Sequence, residues 1–144
     1  PNPGIISQST GSPVIIPNEI FSAAVEIWEK VSVREIDKKH ESLTRLFHQL
    51  IPQKCGSLGA EMISPAKHSA SGGHVSIRHP GAGPVSEALL EHGVVSSFRK
   101  PDSIRFGISP LYHSHQDIWE GIQRLKKVLS GEIWKEERFQ KVSV

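Results

Sequence analysis

The chain has 144 residues, of which 37% are apolar and 22% charged, with 17 basic and 15 acidic side chains and a net charge of +2. That balance excludes a nucleic-acid binder driven by charge. The longest apolar runs, such as Val14-Ile15-Ile16, are far short of the roughly 20 residues a spanning helix needs.

Residues 1–17 are rich in Pro and Gly and show no period. They read as an extended arm, with a strand-like run at Val14 to Ile16, lying against another domain or another chain. The start Pro1-Asn2-Pro3-Gly4 has no Met and reads as the middle of a longer polypeptide. Residues 18–52 read as two linking helices. Asn18 is placed to cap the first, before Glu19, and Ile20, Phe21, Ala24, Val25, Ile27 and Trp28 predict a wide buried stripe ending near Lys30. Ser32 and Glu35 have the spacing of a capping box for the second helix. Its apolar positions Ile36, Leu43, Leu46, Phe47, Leu50 and Ile51 recur at helical intervals, and Pro52 is expected to end it.

Residues 53–131 read as a small α+β domain. Strands are predicted at Glu61 to Ser64, His74 to Arg78, Val94 to Phe98 and Ser103 to Ser109, and helices at Val85 to Glu91 and Gln116 to Ser130. Gly93 fits the residue after the first of these helices, Gly131 closes the second, and Lys100-Pro101-Asp102 is a tight turn. Consecutive strands joined by short turns predict an antiparallel sheet with helices packed on one face. Residues 132–144 are an amphipathic tail.

Several chemistries lack their motifs. Gly81-Ala82-Gly83 runs into Pro84 and is no phosphate loop, and no G-x-S-x-G elbow is present. His113-Ser114-His115 and the series His68, His74, His79 have no accompanying metal-ligand spacing, so no metal is expected and these histidines read as surface and turn residues. Cys55 alone permits no internal disulfide, which suits a reducing cytoplasm, and it sits in a loop after a helix. Arg105 alternates with Ile104 and Phe106 in a strand, where a guanidinium can grip a carboxylate with two prongs or pair with a surface acid.

Three stretches together resemble the C-terminal part of kynureninase: Gly73-His74-Val75-Ser76-Ile77-Arg78-His79-Pro80, then Gly93-Val94-Val95, then the run from Phe98-Arg99-Lys100-Pro101-Asp102 through Arg105-Phe106-Gly107 to Pro110-Leu111-Tyr112. Asp117-Ile118-Trp119 follows in order, and Pro3-Gly4-Ile5 and Gly11-Ser12-Pro13 resemble the family's arm. The family pattern is close to G-x-x-V-S-L-R-H-P, then G-V-x-x-D-F-R-x-P-D-x-x-R-F-G-x-x-P-L-Y, then D-V-W. The resemblance implies the small C-terminal domain of an aspartate-aminotransferase-fold enzyme dependent on pyridoxal phosphate. That family hydrolyses L-kynurenine, or its 3-hydroxy form, to anthranilate or 3-hydroxyanthranilate and alanine in tryptophan catabolism, with the cofactor as electron sink.

By its place in that pattern Arg105 corresponds to the arginine that binds the substrate carboxylate. Gly11 and Ser12 correspond to the segment near the cofactor phosphate, often across a homodimer interface. Tyr112 either lines the site or packs. Arg78, Arg99 and Asp102 are expected to hold the sheet and turn together. His74, Val14 and Ser97 depart from the pattern, Ser97 standing where the family has Asp, and none of the three is expected to touch Arg105. The Schiff-base lysine belongs to an upstream large domain in the family, so this chain alone is expected to be inactive. Two other readings are a stand-alone binding or oligomerisation module and a desulfurase-like relative of the same fold. Retention of Gly11-Ser12-Pro13 in register argues against the first, and the long F-R-x-P-D-x-x-R-F-G-x-x-P-L-Y run against the second.

Overall fold

A computed structural model describes residue 4 and residues 14–140, with the side chain of Ile27 left out. It divides into two compact units, residues 1–36 and 37–144.

In the first unit, helix α1 spans Ile15–Glu29. The expected strand-like run is therefore helical from Ile15, and the helix begins before Asn18 rather than after it. The Asn18 N–H donates to the Val14 carbonyl at 3.2 Å, closing the first turn around Pro17. A proline is tolerated there because its missing N–H would have had no helical partner. The expected buried stripe is instead exposed: Ile20 is 66% and Phe21 70% accessible. An amphipathic pattern only says that a helix has an apolar face; covering it takes a partner, and the described residues of this unit supply none.

Helix α2 spans Val33–Cys55 and carries the chain into the second unit. Its start agrees with Ser32 as cap, whose carbonyl accepts the N–H groups of Glu35 and Ile36 at 3.0 Å. Pro52 lies within the helix rather than ending it. The last turn persists because Ile51 and Cys55 are fully buried, which outweighs the one helical hydrogen bond that Pro52 forgoes.

The second unit holds strands β1 (Glu61–Met62), β2 (His74–Arg78), β3 (Ser97–Arg99) and β4 (Ser103–Gly107), with helices α3 (Ala82–Glu91) and α4 (His115–Ser130). The sheet is antiparallel throughout, in the order β1-β2-β4-β3. This is the predicted α+β class. β2 has the expected bounds, and the other three strands are shorter than expected. β3 starts late because the Val94 N–H is still satisfying the end of α3, bonding the Leu89 carbonyl at 2.9 Å. Gly93 takes φ +71° just before it, a backbone setting that favours glycine.

One face of the sheet is apolar. Val75 pairs with Phe106 and Ile77 with Ile104, and all four are buried. They form one core with Leu43, Phe47 and Ile51 of α2, Val85 and Leu89 of α3, and Ile122, Leu125 and Val128 of α4. The helices thus lie on one face, as the alternation predicts. Helix α4 starts one residue early because Ser114 and Asp117 form a capping box. After α4, Glu132 rather than Gly131 takes the left-handed conformation. The following residues turn back: Phe139 is buried, and the Trp134 ring stands edge-on to His79 at 5.2 Å. A Cβ on Gly81 would run into that Trp134 ring.

Candidate functional site

The opposite face of the sheet carries the polar half of each alternation. Arg105 lies on β4, with Ser76 of β2 on one side and Ser97 of β3 on the other in register. Such neighbours stand about 5 Å apart at Cβ on the same face. Ser97 is therefore the cross-strand neighbour of Arg105, which corrects the expectation that this departure lies away from it. The signal was in the turn: three residues between Arg99 and Ser103 fix the pairing, and two steps back it joins Ser97 to Arg105.

The three arginines of this face differ in what holds them. Arg78 is taken up by Glu61 at 3.4 Å and Asp102 at 3.2 Å, so it ties β1, β2 and the 100–102 turn together. Arg99 donates to its neighbour's carbonyl, Phe98 O, at 3.3 Å. Arg105 is half-buried, and its Nε is buried without a hydrogen-bond partner. Among the described residues neither Arg99 nor Arg105 has an ion-pair partner. A guanidinium held between two serines, with a buried donor unspent, suits an incoming anion: carboxylate geometry matches its fork.

Tyr112 follows the end of β4 in an exposed loop. Its ring stands edge-on to His113 at 4.5 Å, and no hydrogen bond or ring contact ties it to Arg105. The loop is fixed from within: His113 Nδ1 accepts the Ser109 N–H at 3.0 Å, and Ser109 O accepts the His113 N–H at 2.9 Å. Gly11 and Ser12 lie outside the described residues.

A cavity of about 340 Å³ opens on the helix side of the sheet, floored by Phe47, Phe106, Ile118 and Leu125 and rimmed by His113 and Glu120. Arg105 does not line it. The alternation that turns Phe106 toward this cavity turns Arg105 away.

Other titratable groups serve the fold. Cys55 is fully buried, and burial pushes its thiol up to about 11, so it is inert rather than nucleophilic. His79 is buried and held below the usual histidine range by that burial, against an opposing hydrogen bond to Leu58. Its Nδ1 accepts the Gly81 N–H at 3.0 Å. Asp117 is held below the usual carboxylate range by hydrogen bonds from Ser114, first the backbone and then the side chain. Among the described residues no three His, Cys, Asp or Glu side chains are grouped to hold a metal ion, and no helix is long and apolar enough to cross a membrane.

Residues 36–125 match the family described as kynureninase C-terminal domain. Kynureninase of Pseudomonas fluorescens is 29% identical over 140 residues, covering 97% of this chain and 34% of its own length. Kynureninase of Burkholderia mallei strain SAVP1 is 28% identical over 139 residues, covering 96% and 33%. The chain thus spans about a third of the length of the curated relatives it matches. A solved structure of a NifS-like protein superposes with a TM-score of 0.54 at 18% identity, over 68% of this chain and 29% of that one, a likeness of fold.

Proposed function

The chain belongs to the kynureninase C-terminal domain family, and from that premise we propose that it is the carboxylate-binding portion of a kynureninase-like hydrolase dependent on pyridoxal phosphate. The reaction is the hydrolysis of L-kynurenine, or its 3-hydroxy form, to anthranilate or 3-hydroxyanthranilate and L-alanine. One observation carries the reading: Arg105 sits mid-strand between Ser76 and Ser97 with no ion-pair partner among the described residues and a buried, unspent Nε. An arginine kept for the sheet would look like Arg78, which is paired twice.

In this reading Arg105 receives the substrate carboxylate and orients the amino acid. Ser76 and Ser97 keep the guanidinium's flanks small and polar. Pyridoxal phosphate, when bound, supplies the electron sink for the bond that breaks. The described residues do not make the cofactor's own socket. None of the described lysines is buried, whereas a lysine that bonds a carbonyl cofactor works from a desolvated pocket. The cofactor chemistry belongs to the larger part of the enzyme, and this chain alone does not turn substrate over. The same reading takes Gly11 and Ser12 to the cofactor phosphate of a homodimer and places the enzyme in the cytoplasm.

The test is steady-state kinetics of the full-length enzyme with Arg105→Ala, following release of fluorescent anthranilate. Loss of a two-pronged charged hydrogen bond, worth about 1.5–3 kcal/mol, raises KM or lowers kcat/KM by roughly ten- to 150-fold. Unchanged constants would remove Arg105 from the site. A full-length protein that releases no anthranilate from kynurenine, yet acts on another amino acid, would move the reading to a different enzyme of this fold.

A further inference from the structure

Residues 64–73 link β1 to β2 and are stapled beside Arg105. Ser64 Oγ accepts the Ser76 N–H at 2.8 Å, and Ser76 is the cross-strand neighbour of Arg105. The Gly73 carbonyl accepts the Ile108 N–H at 3.1 Å, just past the end of β4. The middle of the segment is a short turn in which Ala70 and Ser71 donate to the Lys67 and His68 carbonyls at 2.9 Å. One side-chain bond fastens that turn to α2: His68 Nε2 donates to Asp37 Oδ1 at 2.8 Å, since an ionised carboxylate can only accept.

Beside this fastening lies His40, one turn along α2. It is 9% exposed, and its ring centre is 5.7 Å from that of His68. Two buried nitrogens there, His40 Nε2 and His68 Nδ1, have no hydrogen-bond partner. The charged groups acting on His40 are His68 from the loop and Asp37 from its own helix. Glu41, the next acid on α2, is engaged by Arg45 at 2.7 Å.

The geometry points to an acid-released latch: neutral His40 lets the His68–Asp37 bond hold residues 64–73 on α2, and a charge arriving on the buried His40 ring, 5.7 Å from the His68 ring, drives the segment off and frees the strand edge beside Arg105. Asp37, the carboxylate that would offset a charge on His40, is already engaged by His68. Burial first and His68 second hold His40 below the usual histidine range, with Asp37 opposing. A histidine lowered in the closed form contributes its stability fully above the open-form value, about 6.5, and loses it as pH falls through that value. The latch is closed at neutral pH and opens in acid.

Hydrogen exchange of the whole 144-residue chain tests this at about pH 7.5 and pH 5.5, on either side of the ordinary histidine value and corrected for intrinsic rates. Protection of the Ala70, Ser71 and Ser76 amides is expected to fall severalfold in acid. The Ile122 amide in α4 reads the acid loss shared by the whole fold, through His79 among others, and the latch requires a loss beyond it. His40→Leu fills the space with a side chain that cannot charge. His68→Gln keeps a donor for Asp37 without the imidazole ring. His40→Leu is expected to abolish the acid effect and His68→Gln to reduce it, whereas Asp37→Asn enlarges it by removing the compensating carboxylate. Acid-independent protection in the parent, or an undiminished acid loss in His40→Leu, would overturn the latch.

Discussion

Replacing Arg105 by leucine separates a guanidinium kept for a ligand from one kept for the sheet. The side chain is half-buried, and its Nε is shut from water with no acceptor. An unmet buried donor costs about 1–3 kcal/mol. Only part of this is recovered, because the rest of the guanidinium retains some solvent, while leucine keeps most of the apolar stem. Arg105→Leu should therefore leave stability unchanged or raise it by up to ~1 kcal/mol. Arg78→Leu is the internal comparison. It loses two half-exposed ion pairs, at 3.2 and 3.4 Å, worth about 0.2–1 kcal/mol together after screening. In urea denaturation followed by circular dichroism, the Arg78→Leu midpoint should fall below the parent's and the Arg105→Leu midpoint at or above it, separated by roughly 0.1–1 M for ordinary slopes. The reasoning fails if Arg105→Leu loses more than about 1 kcal/mol, since the guanidinium would then be structural.

Three further outcomes follow from the packing. Gly81→Ala pushes a methyl group into the Trp134 ring and should cost about 1–3 kcal/mol by thermal melting, with Trp134→Leu in the same background recovering part of it. His79 is lowered by burial, so its share of stability is present above about pH 6.5 and is lost as pH falls through that value; urea midpoints measured from neutral to mildly acid pH should decline, and less so in His79→Gln. Cys55, fully buried with its thiol pushed up to about 11, should resist iodoacetamide at neutral pH in the native chain and react fully in urea, as read by mass spectrometry.

The sheet was legible because its strands alternate. Val75 and Ile77 against Ser76, and Ile104 and Phe106 against Arg105, announce both the period and which face is buried. Helix ends were less so. Ser114 and Asp117 carry the capping spacing, yet the eye stops at Gln116, and Pro52 looks like a terminus until the burial of Cys55 is known. The exposure of α1 could not be read at all, since periodicity reports an apolar face and never what lies against it. At the site, Arg105 was found through its pattern and Ser97 was discoverable from the turn length. The pairing of Ser76 with Arg105 was not, because β2 and β4 are joined through α3 and β3 and no short turn sets their register. His40 and His68 meet only because a loop folds back on α2, which no local pattern records.

The position of β4 has a mechanical consequence. It lies between β2 and β3, so its backbone is laddered on both sides and has no free edge. Arg105 is thus mounted like a post rather than on a swinging arm: displacing its Cα would break two ladders at once. On the proposed reading, a ligand carboxylate would have to come to it at the right depth, because the post does not follow. Selection would then work like a gauge block, by length, favouring amino acids whose reacting carbon stands at one fixed distance from their carboxylate.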